Sequence, residues 1–392
     1  MSGFVEPFAL PDEVQQFRDS VRRFAEKEVA PHAAVADDDE TFPWASFEAY
    51  RDTGIVGSIY PETLGGDGGG LLTTAVLVEE LARVCAATSL FALISRLATS
   101  PIVLYGADDL RDRYVTRVAR GELQASYCLS EPDAGSDVAA LKTRAVRDGD
   151  RYVLTGRKAW VTNAGVSDIY TVFASTDPEA GHRGISAFVV ERDWPGFSIG
   201  KLERKMGLRG SPTGEVILDE VSVPAGNLIG EEDRAFGYAM AALEHSRPII
   251  GAQAVGIAQG ALEIAARYVA ERSQFGQPVA DFQGVQFLLA DLVTRLEGSR
   301  LLVYRACAQI DAGATGPAVS RGSAMAKLFA SDTAMEVTTQ AVQLLGGVGY
   351  TRDFPVERMM RDAKVTQIYE GTNQIQRIVI ARRLLDELAA ER

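Results

Sequence analysis

The spacing of hydrophobic residues changes twice along the 392-residue chain, and this change limits the folds open to it. Residues 1–123 and 233–392 place apolar residues three and four apart, as helices do. Residues 124–232 instead contain short β-rich runs separated by Gly, Asp, Asn and Pro. We therefore predict a mainly α, α+β protein with an N-terminal helical domain, a middle antiparallel β barrel or sandwich, and a C-terminal four-helix bundle.

Individual elements follow from local signals. A helix is predicted to start at Pro11-Asp12-Glu13, and the glycine-rich segment 65–70 is predicted to be a loop, because it lacks the GxGxxG order. β-Strands are predicted at residues 152–154, 169–173, 185–190, 215–218 and 221–224. Long helices are predicted to begin near Ala235, Phe282, Gly316 and Thr372.

Charge and composition exclude several classes of function. Lys and Arg total 40 against 53 Asp and Glu, and a net charge of −13 argues against a broad nucleic-acid surface. Since no run of about 18 apolar residues occurs, we expect no membrane insertion. The first residues lack a basic start followed by an apolar core, so we expect no signal peptide and a cytoplasmic location.

The scattered cysteines and histidines argue against a metal site or a triad. Cys85, Cys128 and Cys307 form no CxxC pair, and we expect three buried, inert thiols. The chain has neither an HExxH helix nor a GxSxG elbow. The chemistry is therefore expected to use carboxylates or a cofactor, without a metal.

Two segments of the β block contain groups suited to a ring or a phosphate. In residues 127–137, Ser130 and Ser136 follow a strand end at a sharp turn, where they are able to hold a flavin edge or a phosphate. In residues 160–163, Trp160 is placed to stack on a ring and Thr162 to bond its edge. Taken singly, the two segments are better explained as an ordinary polar turn and a core Trp.

Two segments of the C-terminal block also have two interpretations. Arg272 closes a long helix and offers a planar fork to a pyrophosphate, with Phe275 beside it. Taken alone, it is better explained as a solvated Arg at a helix C-terminus, which the helix dipole favours. Residues 343–350 carry three glycines that permit close approach of a ligand or a neighbouring subunit, or that simply end the helix.

Residues 368–377 contain the candidate base. Thr372 is a plausible N-cap, and Glu370 lies just before it between Tyr369 and Gly371. A partly buried carboxylate in this apolar stretch would have its pKa raised toward neutrality, which suits a general base. An exposed acid favoured by the helix dipole is the alternative.

Together the five segments resemble the acyl-CoA dehydrogenase family over nearly the whole chain. The specific segments are Leu129-Ser130-Glu131-Pro132 with Gly135-Ser136-Asp137, the 343–362 glycine segment with its following charged residues, and Tyr369-Glu370-Gly371-Thr372. The resemblance implies FAD as cofactor, an acyl-CoA substrate, an electron-transfer flavoprotein as electron acceptor, and a homotetramer. It also implies domains at 1–123, 124–232 and 233–392.

The resemblance further implies a role for each site residue. FAD would be bound within the subunit by Tyr127, Leu129, Ser130, Ser136, Trp160, Thr162, Thr372 and Gln374. The FAD of a neighbouring subunit would be reached by Arg272, Phe275, Gln283, Gln343, Gly346 and Gly347. The CoA thioester would be bordered by Ser136, Leu243, Glu244, Arg247, Tyr369 and Gly371.

Glu370 would take the α-proton while the β-hydride passes to the flavin. Some branches of the family carry the base on the helix of Arg247, but the matching residue here is Ser246, which is not acidic. Thr88 stands where glutaryl-type relatives have an Arg, so a short, medium or branched acyl chain is expected. Arg96 is interpreted as part of a structural ion pair rather than as a contact of the acyl chain. An acyl-CoA oxidase and a catalytically silent FAD-binding relative are the alternatives.

Overall fold

The computed structural model describes residues 10–390, so the prediction about the first residues lies largely outside the described part. The chain divides into two compact units. The first comprises Met1–Ala34, Leu71–Ser89 and Arg247–Arg392, and the second comprises Val35–Gly70 and Leu90–Ser246. The three domain boundaries expected from the sequence remain a prediction.

The N-terminal part is helical, as predicted. Its helices are α1 (Asp12–Phe24), α2 (Ala33–Asp38), α3 (Trp44–Asp52), α4 (Leu71–Ala82), α5 (Ala86–Tyr105), α6 (Asp108–Leu110) and α7 (Thr116–Ala119). Helix α1 begins directly after Pro11, and Val21 and Phe24 are buried on its apolar face. A proline before the first turn costs no hydrogen bond, which explains the start.

The middle part is a seven-stranded sheet. Its strands are β1 (Ala125–Cys128), β2 (Arg144–Asp148), β3 (Arg151–Thr162), β4 (Ile169–Ser175), β5 (Ile185–Glu191), β6 (Phe197–Leu202) and β7 (Thr213–Pro224). The order is β1-β4-β2-β3-β7-β6, with β5 on β4. The sheet is mixed rather than wholly antiparallel, because β4 pairs in parallel with β1 and, through Arg144 and Ser175, with β2.

Strand β7 corrects a prediction, because the two runs at 215–218 and 221–224 form one strand. Val221 pairs with Leu154 and Leu218 pairs with Gly156, so two residues of β7 lie opposite one residue of β3. Glu220 has a φ of 56° in this bulge. The polar pair at 219–220 is therefore a bulge within a continuing strand and not a turn.

One face of the sheet forms the core of the second unit. Tyr152, Tyr170, Phe188 and Val216 are among its fully buried members. The alternation of buried and exposed positions along β7 is what a half-buried strand shows. This core supports the loops at the ends of β1 and β3.

The C-terminal part consists of long helices, which confirms the predicted bundle and fold class. Its elements are α8 (Ala235–Glu271), β8 (Ser273–Gln274), β9 (Gln277–Pro278), α9 (Gln283–Asp311), α10 (Pro317–Leu345), α11 (Val356–Thr366) and α12 (Asn373–Ala390). Helix α10 packs against α9, α11 and α12. The sequence did not predict α11, because Arg358 and Asp362 occupy buried positions on it and dilute its apolar pattern.

Ion pairs join the helices of the first unit. Glu79 on α4 accepts hydrogen bonds from Arg18 of α1 at 3.1 Å, and from Arg300 at 2.9 Å and Tyr304 at 2.7 Å on α9. The neighbouring Glu80 binds Arg18 at 2.8 Å. Since both glutamates are only 1% exposed, these bonds fix which helices meet.

Helices α5 and α8 are long and apolar enough to span a membrane. This was not predicted from the sequence, because the criterion there was an unbroken apolar run. However, 78% of each apolar window is buried inside the structure. Buried apolar helices of this kind are typical of the core of a protein.

Candidate active site

The ends of β1 and β3 bring several predicted flavin-binding residues together. Ser126 on β1 donates to the carbonyl of Thr162 at the end of β3 at 2.7 Å, and the amide of Ala159 donates to the carbonyl of Ser130 at 2.9 Å. The Ser130 loop therefore lies beside Trp160. Tyr127 and Leu129, on and just after β1, belong to the same corner of the sheet.

Trp160 is the most unusual residue of this corner. Its side chain is 64% exposed, and its φ of 59° lies in the left-handed region that is costly for a residue with a Cβ. Thr162 is half-buried, and Ser136 is exposed. An exposed indole in a strained backbone is typical of a ligand-contact position and not of a core residue.

Glu131, which follows Ser130, is used internally. Its carboxylate accepts from the amides of Lys142 at 2.6 Å and Thr143 at 2.9 Å, and from the Lys158 ammonium at 2.7 Å. Lys158 is fully buried and also donates to the carbonyl of Leu129 at 3.3 Å. This pair holds the predicted flavin loop in place, and it was not predicted from the sequence.

The residues predicted to border the substrate lie in three places: Leu243, Glu244 and Arg247 on helix α8, Ser136 in the loop after β1, and Tyr369 and Gly371 between α11 and α12. Leu243 and Glu244 are half-buried, and Arg247 is buried one turn further along α8. The neighbouring Ser246, the alternative position of a base, is buried, and its hydroxyl donates to the carbonyl of Leu243. Arg96 donates to the main-chain carbonyl of Ile59, which is a structural contact, and the ion pair expected for it stays a prediction.

All residues predicted to reach a neighbouring subunit are exposed; they are Arg272, Phe275, Gln283, Gln343, Gly346 and Gly347. Phe275 and Gly276 form the two-residue turn between β8 and β9, with φ values of 54° and 84°. Such a turn needs left-handed residues at both positions and favours Asn-Gly. A Phe that is 95% exposed at this tip is a feature that folding of a single chain does not explain.

Glu370 lies in a left-handed turn between α11 and α12. Its φ is 51°, that of Gly371 is 93°, and the residue is half-buried. Thr372 caps α12 as predicted, because its hydroxyl accepts from the amide of Ile375 at 3.3 Å. Gln374, predicted to bind FAD, is exposed in the first turn of α12.

Tyr369 anchors the other side of this turn. Its hydroxyl donates to the side-chain oxygen of Gln253. The side-chain amide of Gln253 in turn donates to the Ser89 hydroxyl at 2.9 Å and to the main-chain carbonyl of Ala86 at 3.2 Å. Burial raises the pKa of the Tyr369 hydroxyl, so this group remains a neutral donor.

The three cysteines are buried, as predicted. Burial raises the pKa of the Cys128 thiol to about 12, which keeps it unreactive. Among residues 10–390, no group of three or more His, Cys, Asp or Glu is arranged to hold a metal ion. Glu370 therefore remains the candidate base predicted from the sequence.

Comparisons with known proteins identify related chains. Family models for the N-terminal, middle and C-terminal domains of acyl-CoA dehydrogenase match residues 11–122, 126–221 and 233–385. The probable acyl-CoA dehydrogenase FadE25 of Mycobacterium tuberculosis is 50% identical over 378 residues, covering 96% of this chain and 97% of its own.

Two solved structures resemble the whole chain. Butyryl-CoA dehydrogenase from Megasphaera elsdenii superposes with a TM-score of 0.94 at 40% identity, covering 96% of this chain and 99% of its own. A chain from a structure of the electron transferring flavoprotein of Acidaminococcus fermentans gives a TM-score of 0.94 at 43% identity, with the same coverage.

Proposed function

Because this chain belongs to the acyl-CoA dehydrogenase family, we propose that it converts an acyl-CoA thioester to the trans-2-enoyl-CoA, with Glu370 removing the α-proton. The observation that supports this role is the Glu370 turn. A half-buried carboxylate occupies a strained left-handed position between two helices, held by a capped helix start on one side and the Tyr369–Gln253 bond on the other. Strain of this kind persists only where the surroundings impose it, and it concentrates at functional sites.

The residues assigned to FAD have the chemistry that this cofactor needs. Trp160 offers an exposed indole for stacking, and Ser130 and Thr162 supply hydroxyls beside it. Arg272 and Phe275 are exposed on the first unit and suit a pyrophosphate and a flat ring. Bound FAD would supply the acceptor for the β-hydrogen, which leaves as a hydride.

The protein's own contribution is to remove a proton from a very weak carbon acid. Glu370 accepts the α-proton, and its backbone N–H is proposed to donate to the thioester oxygen, where negative charge develops. Arg247 and Glu244 are proposed to border the CoA on helix α8. Holding the thioester against a preoriented carboxylate lowers the entropic part of the barrier.

The substrate, acceptor and assembly are also part of the proposal. A short, medium or branched acyl chain is favoured, since the structure of butyryl-CoA dehydrogenase covers nearly the whole chain. Electrons are proposed to pass to an electron-transfer flavoprotein in the cytoplasm. A homotetramer would cover Phe275, which is 95% exposed, and the exposed Gln343 and Gly346 with a neighbouring subunit and its FAD.

The test is anaerobic bleaching of the protein-bound flavin by butyryl-CoA and by longer and branched acyl-CoAs. Glu370→Gln should keep bound FAD yet lose at least about 1,000-fold in the rate of flavin reduction, because the amide cannot accept the proton. Glu244→Gln is the control: it should weaken substrate binding while flavin reduction at saturation persists. Near-normal reduction by Glu370→Gln would refute the assignment, and peroxide formation in air would favour an oxidase.

A further inference from the structure

Lys327 on helix α10 is a fully buried cation that the proposed mechanism does not use. Its Nζ donates to the main-chain carbonyl of Gly371 at 2.9 Å and to the side-chain oxygen of Asn373 at 2.9 Å. Both acceptors lie within three residues of Glu370. A side chain 44 residues earlier in the sequence is thus bonded directly to the turn that presents the carboxylate.

Asn373 links this contact to the rest of α10. Its amide donates to the Ser331 hydroxyl at 2.9 Å and to Asp332 at 2.7 Å. Gln376 adds a second bond to the Gly371 carbonyl, at 2.9 Å. The start of α12 and the Gly371 peptide are therefore clamped to one face of α10.

Such a clamp is what a strained turn requires. The left-handed φ of Glu370 is costly for a residue with a Cβ, and it persists only if neighbouring bonds over-determine it. Burying an ammonium is also costly, and a Met or Leu would fill the same space. The hydrogen bonds that offset the cost of burying Lys327 are those to Gly371 and Asn373, beside Glu370.

The charge of Lys327 is not needed for this contact. Burial lowers the pKa of Lys327 to about 7, an effect to which Arg247 adds and which Glu370 and Asp332 oppose. A neutral amine keeps two N–H groups, which match the two acceptors. The two hydrogen bonds therefore remain on either side of neutral pH.

We propose that Lys327 is a positioning residue for the reaction: its amine fixes the Gly371 peptide and Asn373 so that the Glu370 carboxylate is held where the proton is removed. This inference rests on the proposed role of Glu370. Loss of the clamp would let the turn relax out of its left-handed conformation. A displacement of about 1 Å is sufficient to cost about 100-fold in rate.

The test compares Lys327→Met with Thr338→Ala in the FAD-loaded protein. Thr338 is a buried residue of the same helix, and its hydroxyl donates to the carbonyls of Ala334 and Met335 on α10 itself. We expect Lys327→Met to reduce the rate of flavin reduction at saturating butyryl-CoA by about 10- to 100-fold, with unchanged FAD content and KM, whereas Thr338→Ala should keep the wild-type rate. A Lys327→Met rate within about two-fold of wild type would overturn the proposal.

Hydrogen exchange supplies a readout that is independent of activity. The main-chain amides of Tyr369 and Asn373 donate to the carbonyls of Val365 and Gln367, both at 3.0 Å, and in the unsubstituted protein we expect these amides to be strongly protected. Exchange at the rate of a free peptide would overturn the proposal, even if Lys327→Met does not fold. If Lys327→Met does not fold, Lys327→Gln, which keeps two N–H donors, is measured in the same way, and we expect a smaller loss of rate. If no acyl-CoA bleaches the flavin of the wild-type protein, the proposed function is refuted. Hydrogen exchange of the Tyr369 and Asn373 amides then still tests whether the turn is held in place.

Discussion

Replacing Lys158 by Met tests the buried pair that supports the predicted flavin loop. Lys158 is 0% exposed and Glu131 is 6% exposed, and their charged atoms are 2.7 Å apart. Methionine has a similar length and no charge, so the substitution removes the counter-ion without opening a large cavity. The carboxylate keeps its bonds to the amides of Lys142 and Thr143.

The expected cost follows from this geometry. Breaking a buried ion pair on one side costs about 3–5 kcal/mol, and the two remaining amide donors place the value near the lower limit, at about 3 kcal/mol. With about 2–4 °C per kcal/mol, the midpoint of thermal unfolding should fall by about 6–12 °C. Retention of FAD should weaken as well, because Leu129 and Ser130 lose their support.

The pH dependence has a definite sign. Burial alone would raise the pKa of the Glu131 carboxyl, but the charge and hydrogen bond of Lys158 outweigh burial, and the pKa is lowered. The pair therefore stabilises the fold fully above the unfolded pKa of about 4.3, and this stabilisation is lost as the pH falls through the folded value. Lys158→Met should accordingly unfold at a higher pH during acid titration than the wild type.

The assay is thermal and acid unfolding followed by circular dichroism, with Lys142→Met as the matched control. Lys142 pairs with Asp133, and both side chains are at least 75% exposed, so its replacement should change stability by less than about 0.5 kcal/mol. If Lys158→Met and Lys142→Met unfold at the same temperature, the buried pair does not support the loop and the reasoning is wrong.

Two further predictions concern strain and the helix network of the first unit. Glu370→Gly should be more stable than Glu370→Ala by about 1 kcal/mol in denaturant unfolding, because glycine accepts a φ of 51° without a Cβ clash; equal stability would show that the turn is unstrained. Glu79→Gln should destabilise by about 3 kcal/mol, because the buried Arg300 and the half-buried Arg18 lose a shared carboxylate. Glu26→Gln, whose side chain is 56% exposed, should cost less than about 1 kcal/mol, and comparable losses in calorimetry would contradict the burial argument.

Most of the fold could be predicted from hydrophobic spacing. The starts of α8, α9, α10 and α12 fall within one residue of the predicted positions, because long apolar stripes and terminal Gly, Pro or Thr mark them. The bulge at Glu220 was missed because a polar pair between two strands has the composition of a turn. Whether this polar pair forms a turn or a bulge depends on how the strand pairs with β3, and the local sequence does not contain that information.

The candidate site was predictable where a residue acts through its own chemistry. Glu370 and Thr372 stand out by type and position, and Thr372 caps α12 as expected. Lys327 and Lys158 were missed, because each meets its partners only after folding, through contacts 27 to 46 residues away in sequence. A lysine among apolar and small residues is the one signal that sequence offered for either of them.

The tight hold on the Glu370 turn determines how the carboxylate is able to move. The Gly371 carbonyl is bonded to α10 and α12, and the Tyr369 amide donates to the carbonyl of Val365 on α11, so the main chain is held on both sides of Glu370. Adjustment to an arriving thioester is therefore a rotation about side-chain bonds, which takes picoseconds to nanoseconds. On this view, proton removal does not wait for a slow loop opening, and the base is ready whenever a ligand docks.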